Sequence, residues 1–195
     1  MFRAVRFAGQ LNFNIEKETL AAIEAQHAFL KDVSAERIQI ELLKLLISRH
    51  PEMIRAAYET GLTSVFLPEF DRMMETPQNN PHHIYSVGDH TIHAVETIAP
   101  NPILRLTMLL HDIAKPETRS TDENGIDHFY NHNEAGAVLS KTILRRLKFD
   151  NQTTQMVTTL IAHHDIRFND ALGTGRKHVR LSLIHISEPT RPISI

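Results

Sequence analysis

The sequence predicts an all-α protein, and three observations support that fold class. Apolar residues recur at helical spacing along most of the 195 residues, as where Ile38, Leu42 and Leu45 form one stripe. Residue types that begin and end helices stand at the edges of these stretches. No stretch alternates apolar and polar residues as a half-buried strand does. We therefore expect helical packing around one hydrophobic core in each half of the chain.

The first half contains several short predicted helices. Residues 2–12 place apolar and basic residues on different faces, and "IEKETLAAIEAQHAFL" is rich in helix-forming residues. Ser34 has the residue type of an N-cap for the striped helix that follows it. Pro51 suits the first position of a further helix, and Gly61 suits its end.

The second half begins after a polar, proline-containing stretch. "ETPQNNPHHIY", residues 75–85, indicates a domain boundary or an exposed loop. Asn101 predicts an N-cap ahead of Pro102, and "RSTDENGIDH" predicts a turn-rich loop around Gly125. The predicted helices of this half cover residues 87–98, 102–114, 133–148 and 151–164.

Composition excludes several classes of site. The net charge of −2 carries no global signature of nucleic-acid binding, and the absence of cysteine excludes disulfides and cysteine metal sites. No apolar stretch approaches the ~20 residues of a membrane span, and the N-terminus lacks a signal-peptide core. We expect no membrane interaction and a cytoplasmic location. The 13 histidines stand out, because several lie beside carboxylates.

The segment "LSLIHISEPTR", residues 181–191, differs from the sequence before it. It follows a basic stretch without a turn signal and has no clear helical stripe. It resembles the translated transposase adapter of DNA sequencing libraries along its whole length. The alternative is a natural amphipathic tail. We expect residues 181–195 to be artefactual and the natural protein to continue past Arg180.

The stretch "LLHDIAKPETR" ends an apolar helix in a histidine and an aspartate. A buried aspartate is unfavourable unless something satisfies its charge, and a divalent ion bound by Asp112 and a neutral His111 would do so. His90 and later histidines supply further imidazole ligands. The alternative is a solvated helix end or an ordinary hydrogen bond.

This order of residues resembles the HD-domain phosphohydrolase superfamily over about residues 82–180. "LRLTMLLHDIAKPETRS" is its most specific piece, and by that resemblance His90, His111 and Asp112 match the first three metal-ligand positions. The superfamily's fourth ligand, an aspartate on a later helix, has no match before Arg180, so we expect a weak or empty metal site. The residues that the resemblance suggests for a second ion or for phosphate are Lys115, Arg119, His132, His163 and His164.

The first half resembles a second known region. "RAVRFAGQLNFNIEKETLAAIEAQHAFLKDVSAERIQIELLKLLIS" is similar to the neck of bacterial tRNA nucleotidyltransferases and poly(A) polymerases, and "GIDHFYNHNEAGA" resembles their HD part. The resemblance implies an RNA-binding neck over residues 1–75, a truncated HD domain over 82–180, and RNA or nucleotide contacts by Arg3 and Arg6. The alternative for both arginines is side chains that pack along a helix surface.

By this resemblance, the parent enzyme adds nucleotides to the 3′ ends of tRNA or other RNA, using ATP or CTP and two Mg²⁺ ions. Its catalytic carboxylates lie on a head upstream of the neck, so we expect this chain alone to have no catalytic residues for nucleotidyl transfer. The HD domain implies a divalent ion, Mn, Ni, Fe, Zn or Mg. Two alternatives stay open, a free-standing metal-dependent phosphohydrolase and a non-catalytic RNA-binding module.

Overall fold

The structure is a computed structural model that describes residues 1–79 and 86–164. These residues are predominantly helical, which confirms the all-α prediction. Two short 3-10 helices, His27–Asp32 and Pro51–Met53, lie between α-helices of the first half. The α-helices are α1 (Phe2–Leu11), α2 (Lys17–Gln26), α3 (Ala35–Leu46), α4 (Ile54–Glu59), α5 (Leu62–Phe66), α6 (Pro68–Met74), α7 (Val87–Thr97), α8 (Pro102–Leu110), α9 (Lys115–Thr118), α10 (His132–Arg146) and α11 (Asn151–His163).

The helix boundaries follow the local signals in the sequence. Ser34 stands at the N-cap of α3, although its side chain makes no capping hydrogen bond. The Asn101 side chain accepts hydrogen bonds from two backbone N–H groups in the first turn of α8. Gly61 separates α4 from α5 with a φ of 72°, a left-handed conformation that glycine adopts without strain. Helix α8 ends at Leu110, earlier than the predicted residue 114.

A β-hairpin replaces the predicted loop between α9 and α10. Strands β1 (Arg119–Thr121) and β2 (Asp127–Phe129) pair antiparallel, and the turn between them contains Gly125 with a φ of 77°. The prediction of no strand was therefore wrong here. Strands of three residues are too short to show apolar alternation, and β1 is exposed along its length.

One continuous hydrophobic core runs through the described residues, from Phe2 in α1 to Ile161 in α11. Its fully buried side chains include Leu42, Phe70 and Leu109. The expectation of one core in each half was therefore wrong. Helix α3 packs against α8 and α6 packs against α7, so apolar residues of the first half are covered by helices of the second.

Polar contacts also join the two halves. The buried Arg105 guanidinium of α8 donates hydrogen bonds to the carbonyl oxygens of Leu46, at 2.6 Å, and Ser48, at 2.9 Å. The Arg146 guanidinium of α10 pairs with the Glu69 carboxylate of α6 at 2.7 Å. Both contacts fix the second half of the chain against the first.

Parts of the predicted organisation lie outside the described residues. These parts are residues 80–85 of the predicted boundary and the adapter-like segment 181–191. The domain limits at 1–75 and 82–180 stay predictions. None of the helices in residues 1–79 and 86–164 combines the length and apolar character that a membrane crossing requires.

Candidate metal centre

Several helix ends meet around one buried carboxylate, that of Asp112. His90 lies in the first turn of α7, His111 and Asp112 directly follow α8, His132 begins α10, and His164 follows α11. One ligand atom from each of His90, His111 and Asp112 lies within 4.8 Å of the other two. The same holds for Asp112, His132 and His164. The structure therefore brings five chemically suitable side chains together, with Asp112 shared by both groups.

Local sequence signals set these helix ends. The Ser86 hydroxyl oxygen accepts a hydrogen bond from the Asp89 backbone N–H at 3.1 Å and so caps α7 ahead of His90. The Asp150 carboxylate caps α11 in the same way. Gly136 of α10 lies beside the end of α8, where a Cβ would reach ordinary van der Waals contact, 3.4 Å, with the backbone carbonyl oxygen of His111.

The Asp112 carboxylate, which is 2% exposed, has four close polar neighbours. Its Oδ2 lies 2.9 Å from the Lys115 ammonium and 3.2 Å from His111 Nε2, yet it has no well-directed hydrogen bond. Its Oδ1 lies 3.4 Å from His132 Nε2 and 3.9 Å from His164 Nε2. Burial would raise the pKa of Asp112, but interactions with His111 and Lys115 outweigh burial and hold this pKa well below its usual range.

Three of the imidazoles are held in one orientation by the backbone. The Nδ1 atoms of His111, His132 and His164 lie 2.8, 2.8 and 2.7 Å from the carbonyl oxygen three residues earlier in the chain. A carbonyl oxygen only accepts, so each Nδ1 must carry the proton. In the neutral ring the Nε2 atom then presents a lone pair, and all three Nε2 atoms face Asp112.

Lone pairs that face one another repel unless a proton or a cation lies between them. The Nε2 atoms of His132 and His164 are 3.2 Å apart, and both face the Asp112 carboxylate. Burial, assisted by His111, lowers the pKa of His164 to about 4, so this ring is neutral at pH 7. Imidazole nitrogens and carboxylate oxygens are ligands of divalent transition metals, so the residues present fit such an ion.

Lys115 is a second buried charge at the centre. Its ammonium group lies 3.5 Å from the Gln78 side-chain oxygen and 5.2 Å from the centroid of the Phe129 ring. The sequence suggested Lys115 as a phosphate ligand but gave no signal for Gln78 or Phe129. Gln78 lies in a proline-containing loop and Phe129 at the end of the unpredicted hairpin, so neither contact follows from local sequence.

Two of the suggested phosphate or second-ion residues lie apart from this cluster. His163 is exposed and belongs to neither group of candidate ligands. The Arg119 guanidinium pairs with the buried Asp127 carboxylate at 3.0 Å. The assignments of His163 and Arg119 stay predictions. The fourth ligand expected beyond Arg180 lies outside the described residues.

The two arginines of α1 differ in exposure. Arg6 is buried, pairs with the Glu41 carboxylate, and lies 3.8 Å from the centroid of the Phe7 ring. Arg3 is exposed and lies 5.8 Å from the same ring centroid. Of the two, Arg3 presents its side chain to solvent, whereas Arg6 joins α1 to α3. The RNA or nucleotide contact suggested for both arginines stays a prediction.

Comparison with known proteins places two family models along the chain. The model described as "HD domain" matches residues 82–194, more than half of the chain. The model described as "Probable RNA and SrmB-binding site of polymerase A" matches residues 12–74. Their order is the one that the sequence resemblance suggested.

Curated relatives match across both regions. A CC-adding tRNA nucleotidyltransferase of Thermus thermophilus is 32% identical over 91% of this chain and 43% of its own length. An A-adding tRNA nucleotidyltransferase of Deinococcus radiodurans is 31% identical over 94% of the chain and 45% of its own length. A multifunctional CCA protein of an Azoarcus species is 31% identical over 85% of the chain and 42% of its own length. The chain thus spans less than half the length of these relatives.

Proposed function

This chain belongs to the HD-domain family, in the tRNA nucleotidyltransferase and poly(A) polymerase branch that carries an RNA-binding neck, and from that membership we propose its function. It acts on RNA 3′ ends in the cytoplasm. The first half holds tRNA or a similar RNA, and the second half is a metal-dependent phosphohydrolase centre. ATP and CTP are the nucleotides of the addition reaction that this family branch performs.

One observation carries the phosphohydrolase proposal. The buried Asp112 carboxylate is faced by the Nε2 atoms of three imidazoles, whose Nδ1 atoms are hydrogen-bonded to backbone carbonyl oxygens. In neutral rings these Nε2 atoms turn their lone pairs towards the carboxylate, and a divalent cation between them would be held by all of these ligands. We assign the ion to His90, His111 and Asp112, and a second ion to Asp112, His132 and His164. The imidazole-rich ligand set favours Zn²⁺, Ni²⁺ or Fe²⁺ over Mn²⁺ or Mg²⁺.

The residues of this chain would then have different roles when a phosphate ester binds. When bound, a divalent ion neutralises phosphate charge and lowers the pKa of a water that attacks phosphorus. The Lys115 ammonium, at the edge of the cluster, would contact a phosphate oxygen and orient the ester. Hydrogen bonds from three Nδ1 atoms to backbone carbonyl oxygens hold the imidazole rings with their Nε2 atoms towards the centre, so the rings need not turn when an ion binds. The expected substrates are a phosphomonoester or a 2′,3′-cyclic phosphate at a ribose.

The test uses the purified chain, stripped with a chelator and reloaded with Co²⁺, Ni²⁺, Mn²⁺ or Mg²⁺ in parallel. Hydrolysis of 2′,3′-cyclic AMP and phosphate release from adenosine 2′-phosphate are measured. We expect metal-dependent turnover that His90→Ala and His111→Ala abolish. His93→Ala is the matched control, because His93 lies on α7 with His90 but outside both ligand groups. Equal loss in all three variants, or metal-independent turnover, would contradict the proposal.

The RNA-binding part has a separate test. Fluorescence anisotropy with a labelled tRNA acceptor minihelix should show salt-dependent binding, because phosphate contacts release counterions. We expect Arg3→Ala to weaken binding several-fold and to reduce the salt dependence. A chain that hydrolyses the nucleotides but does not bind the minihelix would instead support a free-standing phosphohydrolase. Binding without hydrolysis would support an RNA-binding module.

A further inference from the structure

Lys115 contacts the carboxylate oxygen, Asp112 Oδ2, that the proposed metal ion would bind. The ammonium lies 2.9 Å from Asp112 Oδ2, and His111 Nε2 lies 3.2 Å from that oxygen. An ion held by His111 and Asp112 would therefore bind on this side of the carboxylate. Because metal–oxygen bonds are about 2 Å long, the ion and the ammonium would lie within about 5 Å of each other.

The ammonium cannot easily leave this position for water. The Lys115 side chain is 9% exposed, with the Phe129 ring 5.2 Å away on one side and the Gln78 side-chain oxygen 3.5 Å away. Two cations held so close in a buried site repel strongly, because low polarisability of the surroundings leaves their charges poorly screened. The Gln78 side-chain oxygen and the Phe129 ring are neutral groups that can contact the ammonium when it moves away from Asp112.

We propose that Lys115 is an internal competitor of the metal ion for Asp112, and that metal binding transfers its ammonium to the substrate phosphate. This inference rests on the proposed metal centre and deepens it. The ion takes Oδ2, and the displaced ammonium then lacks an anionic partner. A phosphate that reaches the centre supplies that partner. Lys115 thus lowers the affinity for the metal alone and raises it when phosphate is present.

The competition is asymmetric within the centre. On the other side of Asp112, Oδ1 faces His132 and His164 at 3.4 and 3.9 Å, and the Lys115 ion pair is made to Oδ2. Lys115 therefore opposes an ion on the His111 side most directly. Because linkage is reciprocal, metal and phosphate must strengthen each other's binding by the same factor.

The experiment measures Co²⁺ binding by calorimetry and by its visible absorption, with and without 1 mM inorganic phosphate. We expect Lys115→Gln to bind Co²⁺ alone at least tenfold more tightly than the unchanged chain. We expect phosphate to tighten Co²⁺ binding several-fold in the unchanged chain and by a smaller factor in Lys115→Gln. Lys141→Gln is the matched control, because it removes one positive charge at an exposed position of α10 outside both ligand groups.

The outcomes separate this inference from the proposed centre. Equal or weaker Co²⁺ binding by Lys115→Gln would overturn the competition, as would an equal gain in Lys141→Gln. A phosphate effect that persists undiminished in Lys115→Gln would overturn the transfer of the ammonium. If Lys115→Gln unfolds, Lys115→Met replaces it in the same titrations. An absent phosphate effect on Co²⁺ binding in the unchanged chain would also overturn the proposal. Co²⁺ binding that His111→Ala leaves intact would instead show that the proposed centre itself is wrong.

Discussion

The hairpin and the helix-end cluster each bury one aspartate, and they treat it in opposite ways. Asp127 in the hairpin is 1% exposed and Asp112 in the cluster is 2% exposed. Three donors surround the Asp127 carboxylate: the Asn79 backbone N–H at 2.8 Å, the Arg119 guanidinium at 3.0 Å and the Thr121 hydroxyl at 2.7 Å. Asp112 faces three imidazole Nε2 atoms and one ammonium.

Burial and pKa direction alone do not distinguish these two carboxylates. The pKa of each carboxyl group lies below its ordinary value. It is about 2 for Asp127 and lies well below the usual range for Asp112. The number of donors does distinguish them. We call Asp127 a closed carboxylate, because three donors of its own chain satisfy it, and Asp112 an open one, because the Lys115 ammonium is its one firm donor among the described residues and three imidazole Nε2 atoms face it. A closed group contributes stability, whereas an open group indicates a missing ligand.

Arg105 is a buried cation that its own chain satisfies, as it satisfies Asp127, and its replacement should have the largest effect on stability. Its buried guanidinium donates to carbonyl oxygens of Leu46, Ser48 and Ile98. We expect Arg105→Met to lower the free energy of unfolding by about 3–5 kcal/mol, because buried carbonyl groups lose their donors. Urea unfolding at pH 7 measures this. Arg145→Met, at an exposed position of α10, should change it by less than about 0.5 kcal/mol. Comparable losses would remove the distinction.

Asp127 predicts a pH dependence of stability. The Asn79 N–H, followed by Arg119, lowers its pKa from 3.8 to about 2 despite burial. A carboxyl with a depressed folded-state pKa stabilises the fold above its unfolded-state pKa and loses this contribution as pH falls towards 2. We expect Asp127→Asn to lower stability by at most about 2 kcal/mol at pH 7. The difference from the unchanged chain should shrink below pH 4 in urea titrations, and a constant difference would contradict this assignment.

Gly136 gives the smallest expected change in stability and sharpens the geometry of the open site. Alanine favours a helix by about 1 kcal/mol over glycine, and its Cβ would reach ordinary van der Waals contact, 3.4 Å, with the His111 carbonyl oxygen. We expect Gly136→Ala to change the free energy of unfolding by less than about 1 kcal/mol. Co²⁺ affinity should stay unchanged, because the added methyl group fits beside the His111 carbonyl oxygen without moving His132 away from Asp112. Val138→Ala, an exposed position on α10, should alter neither quantity.

The sequence predicted the convergence of His90 with His111 and Asp112 because strong local signals fix their elements. The Asn101 cap and the apolar run of α8 place the His-Asp pair at a helix end, and the HD resemblance adds His90. The closed or open character of a buried group was not predictable. It depends on contacts between distant segments, such as Asn79 with Asp127 across 48 positions.

Arg6 illustrates the same limit in the first half of the chain. Helical spacing placed it on a basic face with Arg3, but the fold buries it against Glu41, which lies 35 positions away. The hairpin was missed because three-residue strands leave no periodic signal. Without the hairpin, neither the Phe129 contact of Lys115 nor the Asp127 cluster could be derived from sequence.

Metal-dependent thermal stability of three proteins tests the central claim most directly: the unchanged chain, Asp112→Asn and Asp127→Asn. Ligand at 100 times its dissociation constant stabilises a fold by about 2.7 kcal/mol, which corresponds to roughly 5–10 °C in Tm for a domain of this size. With Co²⁺, we predict this rise for the unchanged chain and for Asp127→Asn, whose starting Tm is lower. Asp112→Asn should show no rise. A rise in Asp112→Asn equal to that of the unchanged chain would contradict the account.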